Sequence, residues 1–293
     1  MLRDSWRPAK PELTDTTCHV LKVLRDGRVR GFASYFGCHP VVCCQRSRHI
    51  HGDFVGVATN LLEREHPGSV GLFLQGANGD VNSCVVHKGE EESLAALDVI
   101  AERYARAVQR GLAEARPVEV DAVRTVLRDV PLARRPWDAG EVRSRLAEQT
   151  SRIADPEAID DDVDYRMAVV RKLGLERILA RLASGEQASP PVPVHGVRIG
   201  PVSLLGSPFE TFHRIKADVQ ASARSPVALV LSLVGDSQGY APDRFAFERG
   251  GYAADQVPLM YGITPFARLH EELPAALLAL DAALQGDPGN PAA

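Results

Sequence analysis

The chain has 293 residues, of which 45% are hydrophobic and 25% charged, and its formal net charge is −4. This composition is ordinary for a globular protein, and the negative charge argues against nucleic acid as a partner. The sequence has no apolar run long enough for a transmembrane segment. Its start, MLRDSWRPAK, lacks the apolar core of a signal peptide, so we expect a cytoplasmic location.

The first part of the chain alternates between apolar runs and polar turns. Residues 1–16 are polar and without periodicity, so we expect an extended connector there. Asp26-Gly27 indicates a tight turn between two strands. The apolar periodicity then predicts, in order, strands at 18–24 and 29–39, a helix at 53–66, a strand at 70–75, a helix at about 90–110 and a strand at 120–130.

The second part begins with a change of character. Residues 131–190 are charged and poor in aromatics, which predicts a surface insertion of two helices. The two helices of the insertion are predicted at about 141–153 and 163–182. After the insertion, the sequence predicts a hairpin at 194–207, a helix at 209–222, a buried strand at 226–235 and a final helix at 269–284. Residues 286–293 are predicted to be disordered. The alternation predicts a single α/β domain at 17–285, with a mixed β-sheet core flanked by helices.

Several polar loops follow directly after apolar strands, which is where α/β sheets usually assemble their sites. In one of them, Pro40 holds His39 extended at a strand end. A histidine held in this way suits a metal ligand or a base, and a purely structural histidine is the alternative.

Two further groups of reactive side chains lie nearby in the sequence. His49, His51 and Asp53 have i,i+2 spacing, which would place them on one face of an extended segment as a metal triplet. The alternative is a solvated stretch. Cys38 and Cys43 suggest a zinc or redox pair with nonstandard spacing, but an odd number of five cysteines indicates free thiols. Phosphate-loop, GxSxG, HExxH and CxxC motifs are absent.

Six short motifs recur in a familiar order and spacing over about residues 18–265. They are FGCHP (Phe36–Pro40), GDFVG (Gly52–Gly56), LQGANGDVN (Leu74–Asn82), LLGSPFETFHRIK (Leu204–Lys216), VGDSQGYAP (Val234–Pro242) and FERGGYAAD (Phe247–Asp255). Together they resemble the neutral/alkaline, non-lysosomal ceramidase family. The resemblance implies a zinc-dependent amidase, in which the metal polarises the amide carbonyl and lowers the pKa of an attacking water.

The resemblance also implies a ligand set of two histidines, a glutamate and a tyrosine. On this chain His39 matches the second histidine and Tyr240 the tyrosine. Ser207 stands where the family has its glutamate. Glu210, three residues past Ser207, would replace that glutamate if the start of the following helix is shifted.

Three more positions match catalytic parts of the family. Tyr252 matches a tyrosine that steadies the developing oxyanion. Asp80 lies in the Gly-Asp loop, and Asn82 stands at the position of the ceramidases' serine, as expected for a relative that does not cleave ceramide.

Two family segments are missing from this sequence. One is the His-x-His-Ser-Gly-Pro motif, which carries the first zinc histidine and a general acid/base; the other is the C-terminal immunoglobulin-like domain. We therefore expect that Met1 is not the natural start or that a partner supplies the histidines. His49, His51 or Asp53 would add a ligand if their loop folds over His39.

Three functions follow from these observations. The first is a zinc-dependent, ceramidase-like hydrolase that cleaves the C–N bond of a small or lipid-like amide. The second is a catalytically inactive domain with the same fold and a binding or partner role. The third is a thiol redox protein that uses Cys38 and Cys43. The sequence leaves open whether the chain forms a homo-oligomer.

Overall fold

The computed structural model describes residues 15–43, 47, 49–154, 162–185 and 190–286. Most of the predicted connector at 1–16 and of the predicted disordered tail at 286–293 lies outside these ranges. The strands are β1 (His19–Arg25), β2 (Arg28–Phe36), β3 (Val70–Gln75), β4 (Val123–Val130), β5 (Val192–Ile199), β6 (Val202–Gly206), β7 (Glu210–Thr211), β8 (Val227–Leu231) and β9 (Tyr240–Ala241).

Helices occupy both sides of these strands. They are α1 (Asp53–Glu65), α2 (Glu90–Glu114), α3 (Ala139–Ile153), α4 (Val163–Ser184), α5 (His213–Ser222), α6 (Arg244–Arg249), α7 (Val257–Met260) and α8 (Leu269–Leu284), with a π-helix at Tyr252–Gln256 directly before α7. Within the part of the chain that the structure describes, no helix combines the length and the apolar character needed to cross a membrane.

The strands form two mixed sheets and one short ribbon. The first sheet has the order β1-β2-β3, with β2 antiparallel to β1 and parallel to β3. The second has the order β4-β5-β6-β8. In it β5 is antiparallel to both β4 and β6, and β6 is parallel to β8. The ribbon pairs β7 with β9 in parallel. The mixed α/β prediction is confirmed, with the sheet core divided in two.

The two sheets pack face to face between layers of helices. Tyr35 of the first sheet is buried against Leu229 and Leu231 of the second. The outer face of the first sheet is covered by α1 and α2, and that of the second by α5 and α8. Burying one face of each helix and both faces of each sheet produces a four-layer α/β/β/α arrangement.

The two helices of the charged insertion, α3 and α4, occur close to their predicted positions. They pack against each other and against α7 through Val142, Leu175, Ile178 and Leu259. Gly174 makes the close contact possible, because a Cβ atom there would lie 1.8 Å from the Leu259 carbonyl oxygen. This layer therefore adjoins the segment that carries α6 and the π-helix.

Two predicted boundaries differ from the structure in ways that matter for the site. Strand β2 ends at Phe36, before His39. Helix α5 begins at His213 rather than at Phe209, because the backbone N–H groups of Glu210 and Phe212 donate to the carbonyls of Gly239 and Ala241. This tertiary pairing outweighs the local helical pattern.

Candidate functional site

His39 is fixed by bonds to the loop that follows β3. Its backbone N–H donates to the Val81 carbonyl at 2.9 Å, and its ring Nδ1 lies 3.2 Å from the same oxygen. The ring Nε2 contacts the Glu210 carboxylate oxygen Oε2. A histidine that donates from Nδ1 to a backbone carbonyl presents Nε2 as its ligand atom, which is the usual arrangement at metal sites.

Glu210 reaches His39 because it lies in a strand and not in a helix. In the ribbon of β7 and β9, Glu210 stands opposite Tyr240. The Tyr240 hydroxyl interacts with the Glu210 carboxylate, and the Tyr240 ring centroid lies 6.3 Å from that of His39. The ring centroid of Tyr252 lies 5.9 Å from that of Tyr240. Four sequence-selected residues therefore form one cluster.

Burial and charge shift the pKa values of this cluster. Burial alone would lower the pKa of His39, but the hydrogen bond to Glu210, the charge of Glu210 and hydrogen bonds to the backbone together outweigh it, so the net shift is upward. Burial, together with the Glu210 carboxylate, raises the pKa of both Tyr240 and Tyr252. Both phenols are therefore protonated at neutral pH.

The cluster borders a cavity of about 580 Å³. Its polar wall includes His39, Asp80, Asn82, Tyr240 and Tyr252, and its apolar wall includes Val41, Val86, Phe212, Ala246 and Ala253. This volume and this mixture of surfaces are typical of small-molecule sites.

Asp80 and Asn82 are both in the cavity wall, and each is tied to another part of the site. Asp80 accepts a hydrogen bond from the backbone N–H of His213 at 2.8 Å, at the start of α5. Burial raises the pKa of the Asp80 carboxyl. Asn82 pairs with His39 through an isolated parallel bridge. The Gly-Asp loop therefore positions the histidine as well as lining the cavity.

Ser207, the position of the family's glutamate by motif matching, lies elsewhere. Its side chain is fully buried, and its Oγ is 3.5 Å from the Thr211 hydroxyl oxygen. Neither Ser207 nor Glu210 lines the cavity itself, but Glu210 contacts His39, which does. The structure therefore places the carboxylate three residues later than the motif match.

The structure does not bring His49, His51 and Asp53 together on one face. His49 and His51 are exposed, whereas Asp53 is buried. The Asp53 carboxylate accepts from the Cys43 backbone N–H at 2.8 Å, and the Asp53 backbone N–H donates to His51 Nδ1. None of the three lines the cavity beside His39, and their contacts instead anchor the start of α1.

The thiol at Cys38 is poorly suited to redox chemistry. Its side chain is buried, and burial raises its pKa to about 12, with the Asp53 carboxylate adding to the shift. A reactive thiol requires a lowered pKa and access to solvent. Both Cys38 and Cys43 pack in the core beneath α1 and α2.

Two residues of the site were not selected from the sequence. Asn78 is buried, and its Nδ2 lies 3.5 Å from Glu210 Oε2, while its Oδ1 has no hydrogen-bond partner among the described residues. Arg249 lines the cavity beside Tyr252. Asn78 lies in the motif GANGDVN and Arg249 in the motif FERGGY. Their positions in these motifs are the sequence feature that would have identified them as candidate site residues.

The donor atoms of the cluster suit a zinc ion in part. With Nδ1 of His39 donating to Val81, Nε2 and Glu210 Oε2 meet as two lone-pair donors that need a proton or a metal cation between them. Imidazole nitrogen and carboxylate oxygen are ordinary zinc ligands, and the Tyr240 hydroxyl oxygen is a third donor atom beside them. Across residues 15–286, where described, no three His, Cys, Asp or Glu side chains form a metal-binding group.

Known proteins resemble this chain in structure. No protein-family model and no curated protein matches it. The crystal structure of neutral ceramidase from Pseudomonas aeruginosa matches with 16% identity and a TM-score of 0.67, over 98% of this chain and 49% of that chain. A structure described as ceramidase complexed with C2 matches with 16% identity and a TM-score of 0.64, over 95% of this chain and 49% of that chain.

The chain thus spans about half the length of the ceramidase structures that it matches. At 16% identity the likeness concerns the fold alone. This chain therefore has a neutral ceramidase-like α/β fold, which confirms, at the level of the fold, the resemblance carried by its sequence motifs.

Proposed function

We propose that this chain is a zinc-dependent hydrolase that cleaves the C–N bond of a small or lipid-like amide. The observation that carries the proposal is the contact between His39 and Glu210, beside Tyr240, at the wall of a cavity of about 580 Å³. His39, Glu210 and Tyr240 would hold the zinc ion. When bound there, zinc supplies polarisation of the amide carbonyl and a water of lowered pKa.

The other residues of the cavity supply binding and proton transfer. The Tyr252 hydroxyl stays protonated because burial raises its pKa, so it donates a hydrogen bond to the developing oxyanion. Asp80 provides a carboxyl with a raised pKa, which suits transfer of a proton to the departing amine. The balanced reaction consumes one water: a C–O bond forms, the C–N bond breaks, and the nitrogen takes up a proton.

The test measures zinc and hydrolysis in the same protein preparations. We expect wild-type protein to bind close to one zinc per chain by mass spectrometry and to hydrolyse members of a panel of N-dodecanoyl amides. Glu210→Gln keeps the side-chain shape but removes the charge, so both zinc and hydrolysis should be lost. Glu248→Gln is the matched control, because Glu248 is exposed and lies outside the cavity lining. Unchanged hydrolysis in Glu210→Gln would contradict the proposal.

A second candidate function is a catalytically inactive binding domain. It is supported by the ligand set, since His39 and Glu210 are the only His, Cys, Asp or Glu side chains paired at the cluster in the described chain. In that case the same wild-type protein would take up no zinc after addition and would hydrolyse no amide. Calorimetry would still detect binding of an N-dodecanoyl amide, with affinity equal in wild type and Glu210→Gln.

A further inference from the structure

One cation lines the cavity in addition to the residues of the proposed reaction. Arg249 is the last residue of α6, and its guanidinium lies 5.6 Å from the ring centroid of Phe245. Among the described residues, no carboxylate lies within ion-pair distance of it. Arg249 is exposed and borders the cavity, so its charge is accessible to a ligand there.

The backbone after Arg249 brings this charge next to Tyr252. Gly250 and Gly251 have φ angles of 72° and 103°, a region that other residues rarely adopt. A Cβ atom on Gly250 would also lie 2.5 Å from the Asp255 carboxylate. These two glycines turn the chain so that Arg249 and Tyr252, three positions apart, both border the same cavity.

The remaining charges of the cavity wall do not neutralise Arg249. Asp80 is the acidic residue of the described lining, and its carboxylate is already hydrogen-bonded to the His213 backbone N–H at 2.8 Å. Val41, Val86 and Phe212 provide apolar surface in the same wall. The cavity is thus matched to a molecule with an apolar body and an anionic end.

We propose that the substrate is an acyl amide that carries an anionic group on its amine portion, and that Arg249 binds this group while the amide lies beside Tyr252. The inference rests on the proposed hydrolase function and deepens it. A guanidinium presents paired N–H donors that match the two oxygens of a carboxylate or phosphate. Arg249 therefore determines specificity and takes no part in bond breaking.

The test compares two substrates that differ in one group. N-dodecanoylglycine and N-dodecanoylethanolamine have the same acyl chain and similar size, but end in a carboxylate and a hydroxyl. Wild-type protein should prefer the glycine compound in kcat/KM. In Arg249→Gln this preference should fall by roughly 10-fold to 100-fold, mainly through KM, which is the range for losing a charge-assisted hydrogen bond.

The matched control is Arg244→Gln on the same helix. Arg244 donates to Glu271 at 2.6 Å and lies outside the cavity lining, so the substrate preference should stay as in wild type. N-dodecanoyl phosphoethanolamine forms a third arm. An effect of Arg249→Gln on this compound alone would support the anion site with phosphate as the group it recognises. Equal use of both charged amides and the neutral amide by wild type, or no effect of Arg249→Gln on the preference for either charged amide, would overturn the inference.

A binding measurement separates failure of this inference from failure of the proposed function. Calorimetry with N-dodecanoylglycine and with N-dodecanoyl phosphoethanolamine on wild type, Arg249→Gln and Arg244→Gln needs no turnover. If no amide is hydrolysed but binding weakens only in Arg249→Gln, the hydrolase proposal fails and the anion site stands. If N-dodecanoylglycine and N-dodecanoyl phosphoethanolamine each bind equally to all three proteins, or to none of them, the anion site is refuted.

Discussion

The two halves of the molecule contribute to the cavity in different ways. The first half, built on β1–β3 with α1 and α2, places His39, Asn78 and Asn82 on loops that follow strands. The second half places Glu210 and Tyr240 opposite each other in a paired ribbon. Neither half holds the donor set alone, so the candidate site is a property of the junction between the halves.

Backbone and side-chain hydrogen bonds align this junction. Gly79 N–H donates to the Thr211 carbonyl at 2.9 Å, and Ser232 N–H donates to the Gln75 carbonyl at 3.0 Å. The buried Tyr35 hydroxyl donates to the Val230 carbonyl at 3.0 Å. These bonds join the end of β3 to the end of β8 and the Gly-Asp loop to β7, which sets the distance between His39 and Glu210.

The largest effect is expected from breaking the contribution of the first half at His39. His39→Ala should lower kcat/KM for amides by at least about 10³-fold, because loss of a direct ligand exceeds the 10–100-fold typical of residues behind one. His49→Ala is the matched control, since His49 is exposed and outside the cavity. Parallel kinetic assays and zinc analysis check this, and equal losses in the two variants would contradict the assignment.

A second prediction concerns the ion pair that joins the start of the described chain to α5. Lys216 is 3% exposed and contacts the Asp15 carboxylate. Asp15→Asn leaves a buried ammonium without its partner, so we expect a loss of about 3 kcal/mol in the free energy of unfolding. Lys216→Met removes the charge itself and should cost less. Urea unfolding distinguishes the two, and a larger loss for Lys216→Met would contradict the argument.

The same pair makes stability depend on pH. Burial opposes the charged form of Asp15, but the hydrogen bond from Lys216, the hydrogen bonds from Thr17 and the charge of Lys216 together outweigh it and lower the pKa to about 2. The unfolded chain, with an ordinary Asp pKa near 4, binds more protons than the folded chain between these values. The stabilisation is therefore complete above about pH 4 and is lost as the pH falls toward 2. In Asp15→Asn this dependence should disappear from unfolding curves measured across that window.

The smallest of these effects is expected from Asn78, which lies in the first half but contacts the carboxylate of Glu210 in the second. Asn78→Leu removes the amide that orients Glu210. Zinc affinity, measured by competition with a chelator, should fall by roughly 10-fold to 100-fold. Asn60→Leu, at an exposed position of α1, is the control. Unchanged zinc affinity together with an unchanged melting temperature would refute a positioning role for Asn78.

Several parts of this arrangement follow from sequence patterns. Pro40 restricts the backbone of His39, so the importance of that histidine is readable from two adjacent residues. The alternation of apolar strands with amphipathic helices predicts the α/β class and nearly all of the long helices. The Gly-Asp loop and the FERGGY segment are recognisable as motifs, and both border the cavity.

Sequence patterns do not predict which of residues 207–210 lies next to His39. Motif matching aligns the family's glutamate with Ser207, and local periodicity predicts a helix from Phe209. In the structure, β7 pairs with β9, thirty residues later in the chain, and this pairing directs Glu210 to His39. Only a contact distant in sequence decides between helix and strand at this point.

In the histidine-rich stretch after His39, a sequence pattern predicted a site that the structure does not form. His49, His51 and Asp53 have the spacing of a metal triplet, yet their backbone is not an extended strand, and Asp53 has a φ angle of 53°. Residues at i,i+2 share a face only in a regular extended strand. Here the Asp53 carboxylate accepts hydrogen bonds from the backbone N–H groups of Cys43 in the loop and Phe54 in α1, which hold the segment in a different geometry.

Local periodicity and short motifs are sufficient to predict the α/β class, the boundaries of most long elements and the candidates His39, Tyr240 and Tyr252. Tertiary contacts are needed to show that Glu210, rather than Ser207, contacts His39, that Asn78 lies beside Glu210, and that Arg249 borders the cavity. These relations arise where two sheets and a short ribbon meet, and pairing between distant segments is not encoded in any local pattern.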